Sequence, residues 1–586
     1  MANPEHVQIL KQGVEAWNAW RDLFFILVAP VAAWWILDIN LFPQAGSVDP
    51  WFYTGVGQIF NSLVDVYGWP YYLVRFPITF VNRLCCRNAY PDVGYILLRY
   101  LLVVGAGGSL YSMVLKKMGR PAAMIGYLYL FCNPLFLRVI AWDLTPFLSV
   151  PAALAGAAIW LHSEKEAIWR YPLAGGLFCI SVNSHIFTST AIACFLLAVI
   201  VAHLLSKRPI RDLVIALLGM QVGFTAVWAL GWWYYYELVG PIDPLLFWKV
   251  NRAVLAAGSD YALTHARPFW TWAAQETYFY VPYLWIAAAL ILRRGLLEKK
   301  TYWTILLASI FYGTFYLVYR FILGRFVVEA HYYFGHIWAV CCLLVPLVAA
   351  QAAQQTNLSY WIVLVFILIS LPADWLVGMQ NRGQIEWLTR TWGVYGAVAV
   401  ALIVAVAGIA CLRLFKSHRG VAIASLGLFC ATLQFLSILP HASREVYSIP
   451  PQAHRRDLYM VSIQHAKLWA TYARKGQVPL LWYQSAPDDL DISSVVFTTF
   501  GDALHNKWQH GGMPNIGEYE RQRLTEPGKC YLFLLAKNPD DIQQGKKALA
   551  AAGLESTTLE QTVLASGSLR IFAEIVRYIN LPVRTP

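Results

Sequence analysis

Residues 213–236, Leu213-Val-Ile-Ala-Leu-Leu-Gly-Met-Gln-Val-Gly-Phe-Thr-Ala-Val-Trp-Ala-Leu-Gly-Trp-Trp-Tyr-Tyr-Tyr236, contain no Asp, Glu, Lys or Arg. About 20 apolar residues in a helix cross a ~30 Å hydrocarbon core, so this stretch reads as a membrane span. Similar segments lie near residues 22–38, 94–115, 121–140, 146–162, 172–184, 186–205, 275–292, 301–320, 336–353, 360–378, 392–412 and 420–440. The composition of the whole chain agrees: over 586 residues it is 58% hydrophobic and 13% charged, about half the charge density of a soluble protein. A soluble, disordered, collagenous or coiled-coil chain is excluded by the same numbers. The predicted fold class is a polytopic α-helical membrane protein of about 13 transmembrane helices with a C-terminal extracytoplasmic α/β domain.

Charge gives the orientation. Residues 1–441 carry 29 Lys and Arg against 19 Asp and Glu, and residues 442–586 carry 16 against 14. With a cytoplasmic N-terminus, the inner loops of the first region hold 17 basic and 7 acidic residues, and the rest of that region balances at 12 of each. Basic residues concentrate in cytoplasmic loops, so the net charge of +12 reports topology and a secondary affinity for anionic lipid, with no nucleic-acid partner. An odd number of spans then puts the C-terminal domain in the periplasm of a bacterial inner membrane. The first 20 residues are polar and no short apolar core precedes a small-residue cleavage site, so the first span is expected to be its own anchor.

The expected domains are 1–441, a transmembrane catalytic domain that includes a long first outer loop at 38–93, and 442–586, a periplasmic α/β domain. In the latter, Tyr459–Lys475 reads as an amphipathic helix, Val478–Tyr483 and Cys530–Leu535 as buried strands, Asn538–Ala552 as a capped helix ending near Gly553, and Val563–Phe572 as a strand pair around Ser566-Gly567. It carries no phosphate loop or nucleophile elbow, which suggests a structural or acceptor-docking lid. Of ten cysteines only Cys85, Cys86 and Cys530 face outward, and neither a disulfide framework nor a zinc spacing is present. The one glycosylation sequon, Asn357–Ser359, falls on the predicted inner side.

Ionisable groups at the outer mouths of spans are the informative ones, because each is costly near lipid and tends to face a cavity. The first outer loop alternates aromatic and polar residues, including Trp51, Phe52, Tyr53, Trp69, Tyr71, Tyr72, Phe76 and Phe80, as interfacial helices do. It opens with Asp49-Pro50-Trp51-Phe52-Tyr53-Thr54-Gly55, a carboxylate at a helix N-cap with proline at N1. Such a residue is either a cap, worth about 1 kcal/mol, or a base held where a lipid-linked substrate presents its head group. Asp143, in the short loop Trp142-Asp143-Leu144-Thr145-Pro146, carries the same two readings.

These features resemble the bacterial C-type (GT-C) glycosyltransferases, which move a sugar from a polyprenyl phosphate to an acceptor outside the membrane. The resemblance rests on the first loop from Asp49 to Tyr53, on Tyr71-Tyr72-Leu73-Val74-Arg75-Phe76, and on Asn133-Pro134-Leu135-Phe136 leading to Trp142-Asp143. It is best over residues 20–160. The span number and outer tail also look like the lipid A aminoarabinose transferases and the mannosyl transferase group. What this implies is an inverting transfer, in which Asp49 is the catalytic carboxylate acting on the acceptor hydroxyl and Asp143 supports the acceptor or a metal. The general physics agrees: a base must reach the attacking hydroxyl, and the departing phosphate needs cations.

Candidate phosphate-binding residues are Arg75, Arg320, Arg325, Lys249 and Arg252, with Arg267 nearby; arginine suits bidentate phosphate binding and also serves as a snorkelling anchor. Tyr53, His185, His265, Glu329 and His331 are possible supports, and Glu329, His331 and His336 a weak metal pattern. Asp49 has no adjacent acid, which leans toward a metal-independent enzyme without a firm cofactor and leaves Asp38 as a rival base. The expected partners are a polyprenyl-phosphate-linked sugar, an extracytoplasmic glycan, lipid or protein acceptor, and the bilayer; the chain is expected to be a monomer. The alternatives are a polysaccharide polymerase or ligase, and a transporter or flippase, against which stands the lack of an internal repeat.

Overall fold

The computed structural model describes residues 4–36, 41–43, 45–46, 48–87, 90–132, 144–162, 167–253, 281–291, 299–318, 342–348, 350–351, 452–484, 490–504 and 516–580. In chain order the first part is built from α1 (Pro4–Ile36), α2 (Val48–Tyr67), α3 (Phe76–Cys86), α4 (Pro91–Met118), α5 (Arg120–Cys132), α6 (Leu144–His162), α7 (Arg170–Ser184), α8 (Thr188–Leu205), α9 (Ile210–Val239), α10 (Val281–Ile291) and α11 (Lys299–Leu317). Short helical stretches also cover residues 246–253 and 342–348. Among the described helices, α4, α8 and α9 are long and apolar enough to cross a membrane, and Phe147–His162 within α6 is a shorter apolar run. The expected spans at 360–378, 392–412 and 420–440, and the sequon at 357–359, lie outside the described residues.

α1 starts at Pro4, well ahead of the span expected at 22–38, because a helix does not need an apolar face to continue beyond lipid. Its Trp17, Trp20, Phe24 and Trp35 are exposed, as lipid-facing residues are. Asp22 and Arg120 form a bidentate pair, Nε to Oδ1 at 3.0 Å and Nη2 to Oδ2 at 2.9 Å, tying α1 to the start of α5. α7 lies along both α6 and α9. Its crossing with α9 is backbone on backbone: a Cβ on Gly175 would overlap the Met220 carbonyl, and one on Gly223 the Pro172 carbonyl. Small residues permit such approaches between membrane helices, where apolar burial supplies no drive toward association.

The C-terminal part contains α12 (Gln452–Tyr472), β1 (Leu480–Tyr483), α13 (Asp491–Phe497), α14 (Glu518–Leu524), β2 (Tyr531–Ala536), α15 (Pro539–Ala551), β3 (Leu554–Ser566) and β4 (Leu569–Asn580). The sheet order is β1-β2-β4-β3, with β1 parallel to β2 and the other pairs antiparallel. Both faces of β1 and β2 are covered. Leu481, Tyr483, Phe533 and Leu535 pack with Leu458, Val461 and Trp469 of α12. Leu480, Trp482, Leu532 and Leu534 pack with Ile542 and Leu549 of α15. Two-sided burial is why these strands read as unbroken apolar runs. Asn538 caps α15, its side chain accepting from the Asp540 N–H at 3.1 Å. The hairpin around Gly567 is much longer than the expected 563–572: β3 is an edge strand with polar, exposed positions, which hid it.

The C-terminal sheet and the first outer loop share one core. Trp51, Tyr53, Val56, Phe60 and Leu63 of α2 belong to the same apolar cluster as α12, α13 and the sheet. The approach is close: the Gly46 N–H donates to Ser494 Oγ at 2.7 Å, Tyr67 Oη donates to the Thr499 carbonyl at 3.1 Å, and Tyr67 stacks on Trp469 at 6.3 Å. A Cβ on Gly55 would overlap the carbonyl of Thr498. Gly55→Ala is therefore expected to lower stability by at least about 2 kcal/mol, the cost of an overpacked contact, and to expose the tail to limited proteolysis. Gly105→Ala, which meets open space, should leave the thermal midpoint and cleavage pattern unchanged.

Candidate functional site

α2 begins at Val48, so Asp49 lies inside its first turn and not at the N-cap the sequence suggested. The carboxylate is engaged from the side: Tyr72 Oη donates to Asp49 Oδ1 at 3.1 Å. Tyr72 comes from the turn that joins α2 to α3. α2 stops at Gly68, whose left-handed φ of 68° suits glycine, and whose N–H bonds the Val64 carbonyl at 2.8 Å. The Leu73 N–H then closes on the Pro70 carbonyl at 2.9 Å. α9 holds this turn from below, Tyr235 Oη donating to the Leu73 carbonyl at 2.6 Å and meeting Thr79 Oγ1 at 3.1 Å.

Arg75 follows the turn and is 4% exposed. Its Nη1 donates to Tyr53 Oη, and its guanidinium lies 3.8 Å from the Tyr71 ring centre and 5.6 Å from that of Tyr53. Such cation–π contacts hold a buried charge that has left water. Tyr53 stands one turn after Asp49 on α2, on the same face, and its carbonyl accepts from Asn82 Nδ2 at 3.2 Å. The site is therefore a carboxylate and a guanidinium held among Tyr53, Tyr71 and Tyr72. Burial pushes the Asp49 carboxyl above its ordinary value, while the nearby Arg75 charge and the Tyr72 hydrogen bond pull it back; burial prevails.

The structure treats the other expected residues unequally. Lys249 is exposed and paired with Asp243, and Arg252 is exposed. His185 is buried in the break between α7 and α8, its N–H bonded to the Ser181 carbonyl at 3.0 Å. Asp38, Asp143, His265, Arg267, Arg320, Arg325, Glu329, His331 and His336 lie outside the described residues. Among the described residues no three His, Cys, Asp or Glu groups come together as metal ligands.

Sequence reasoning missed a buried charge in the bundle and two aromatic residues beside the site. Arg99, buried in α4, lies 3.3 Å from the Tyr95 ring centre and 4.9 Å from that of Phe147; a charge inside an apolar span was the available signal. Phe497 and Phe500 of the tail lie 6.0 Å and 5.1 Å from the Phe52 ring, and no local pattern marked them.

The crystal structure of ArnT from Cupriavidus metallidurans bound to undecaprenyl phosphate is similar over 95% of this chain and 98% of its own, with 14% identity and a TM-score of 0.50. The fold is that of this ArnT structure. ArnT in its apo state gives 15% identity and a TM-score of 0.49 over the same shares. The oligosaccharyltransferase of Archaeoglobus fulgidus gives 13% and 0.41, over 88% of this chain and 69% of its own. No family model and no curated protein sequence matches. Near-complete mutual coverage by ArnT means that the shared fold takes in both the helical part and the tail.

The opposing influences on Asp49 make a prediction within this fold. Arg75 weighs more on the carboxylate than Tyr72 does, so Arg75→Gln should raise the titration midpoint of Asp49 further than Tyr72→Phe. The carboxyl infrared band that disappears in Asp49→Asn measures both shifts; a larger shift for Tyr72→Phe would contradict the ranking.

Proposed function

We propose that the protein is an inverting glycosyltransferase that moves a sugar from a polyprenyl phosphate to a hydroxyl of an extracytoplasmic glycan, lipid or protein. The observation that carries this reading is the pairing of a tyrosine-held carboxylate, Asp49, with the buried cation Arg75 on the first loop. The near-complete likeness to ArnT, whose structure contains undecaprenyl phosphate, supports the choice of donor.

In the proposed step Asp49 accepts the proton of the acceptor hydroxyl, and the oxygen attacks the anomeric carbon from the face opposite the phosphate. The carbon–oxygen bond to phosphate breaks, and the bonding pair leaves with the polyprenyl phosphate. Arg75 is assigned the uptake of that developing charge, and its burial, with little water to screen it, supports the role. Of the five candidate cations it has the strongest support in the described structure, since Lys249 is engaged by Asp243; Arg320 and Arg325 remain proposed from sequence. Asp143 is assigned the support of the acceptor, or of a metal, and no step here requires the latter.

The same reading places residues 1–441 as the membrane catalytic domain and 442–586 as the periplasmic domain of a monomer, with the N-terminus cytoplasmic. The Asp22–Arg120 pair supports the part of this topology that puts the start of α5 on the same side of the membrane as Asp22 of α1.

Purified protein in proteoliposomes, given polyprenyl-phosphate sugars and envelope acceptors, should transfer sugar. Asp49→Asn should reduce turnover by about 100-fold or more, the scale of general-base catalysis, with membrane insertion intact. Near-normal turnover of that variant would remove Asp49 from the mechanism, and solute uptake without transfer would favour a transporter. Because Asp49 must be ionised and burial raises its pKa, kcat/KM should fall with decreasing pH at a higher midpoint than for an ordinary carboxylate. Lys249→Ala should change the donor KM by less than about threefold, as expected of an exposed pair, whereas Arg75→Gln should raise it by about tenfold or more.

A further inference from the structure

The tail reaches the neighbourhood of Asp49 through one turn, Phe497-Thr498-Thr499-Phe500-Gly501. Both sides of it are pinned to the first loop. The Thr498 carbonyl rests on Gly55, and the Thr499 carbonyl accepts from Tyr67 Oη at 3.1 Å. Within the turn the Phe500 N–H bonds the Phe497 carbonyl at 3.1 Å.

Phe500 and Gly501 both have a φ of 62°. Glycine adopts this left-handed conformation freely, but a bulky side chain there is an outlier that its surroundings must impose. A turn needed only to reverse the chain would be served better by glycine at both positions. The ring is what phenylalanine adds. It meets three aromatic residues of the first loop: Phe52 at 5.1 Å, Tyr67 at 5.4 Å and Tyr72 at 6.0 Å. Phe52 meets Tyr72 edge-on at 4.9 Å, so Tyr72 is packed by both.

We propose that Phe500 is a positioning residue for the base: its ring, aimed by the left-handed turn, braces Tyr72 so that the phenol stays on the Asp49 carboxylate. The inference rests on the reading of Asp49 given above and extends it, since it makes the C-terminal domain part of the active site and not only its cover. Among the described residues, the ionisable groups acting on Asp49 are Arg75 and Tyr72, with Tyr53 on the same helix face. Phe497, Thr498 and Phe500 carry no charge, so they act on the carboxylate either through Tyr72 or by keeping water from it.

The direction of a titration shift separates bracing from shielding. Loss of the brace weakens a hydrogen bond that favours the carboxylate and moves the Asp49 midpoint up. A ring that merely excludes water would, on removal, admit water and move the midpoint down. The experiment uses the full chain in nanodiscs and the carboxyl infrared band identified by Asp49→Asn, which reads whether or not transfer occurs.

Phe500→Gly, which relaxes the backbone, should raise the midpoint by about one pH unit, as should Tyr72→Phe. The double variant should go no further, and Phe500→Tyr should keep the wild-type midpoint. Phe500→Leu serves as the second variant, with the same expected direction. An unmoved or lowered midpoint in the folded variants, or additive shifts in the double variant, would overturn the proposal. Under the transfer assay Phe500→Gly should lose about tenfold in kcat with the donor KM unchanged, the signature of a misplaced group. Failure of the functional reading is seen separately, as a wild-type protein that transfers no sugar while the band shifts still follow Phe500.

Discussion

The Thr498 carbonyl against Gly55 is the contact on which the arrangement of this protein depends. It brings main chain to main chain with no side chain between, so the tail has one seating on α2. Aromatic rings then fill the space around the contact: Tyr67 on Trp469, and Phe52 against Phe497 and Phe500. The apolar core of the sheet runs without interruption into that of α2. A lid hinged away from the loop would expose that shared surface, at roughly 25 cal/mol for each Å². The tail is thus expected to stay seated while substrates enter from the membrane.

That seating matters because Asp49 is held between opposed effects. Burial favours the neutral acid, and Arg75 and Tyr72 favour the carboxylate. Arg75 is itself buried, and a buried charge is costly unless it is well surrounded; here the Tyr53 hydroxyl accepts from its guanidinium and Tyr71 provides a ring face. The two tyrosines of the turn therefore divide between the cation and the anion. Tyr71 stacks on Arg75 while its neighbour Tyr72 bonds Asp49, because adjacent residues in a turn can point apart.

Much of this was legible in the sequence, for reasons that particular residues make plain. The span at 213–236 needed only its lack of charge, and the buried strands at 480–483 and 531–536 showed as apolar runs because both faces are covered. The site cluster was legible in part, since Asp49, Tyr53 and Arg75 lie within one loop. Gly55 was visible only as the end of a motif, because nothing local shows which backbone will approach a glycine. Phe500 was illegible for the same reason: its partners Phe52, Tyr67 and Tyr72 are more than four hundred residues away. The cap reading of Asp49 failed because it considered the helix alone, whereas Tyr72 engages the carboxylate from outside the helix.

The turn at 71–74 is clamped from two sides. From the bundle, Tyr235 of α9 reaches the Leu73 carbonyl, and one turn of helix earlier a Cβ on Gly231 would overlap the Phe76 ring. From the other side, Phe500 of the tail and Phe52 of α2 pack on Tyr72. The bundle clamp holds the backbone that carries Tyr72, and Phe500 and Phe52, together with Tyr53 and Tyr71, pack on its ring. A geometry within about 0.5 Å, as productive sites require, needs both. This accounts for a fold in which a membrane helix and a soluble sheet, distant in the chain, are both packed against the same short connection.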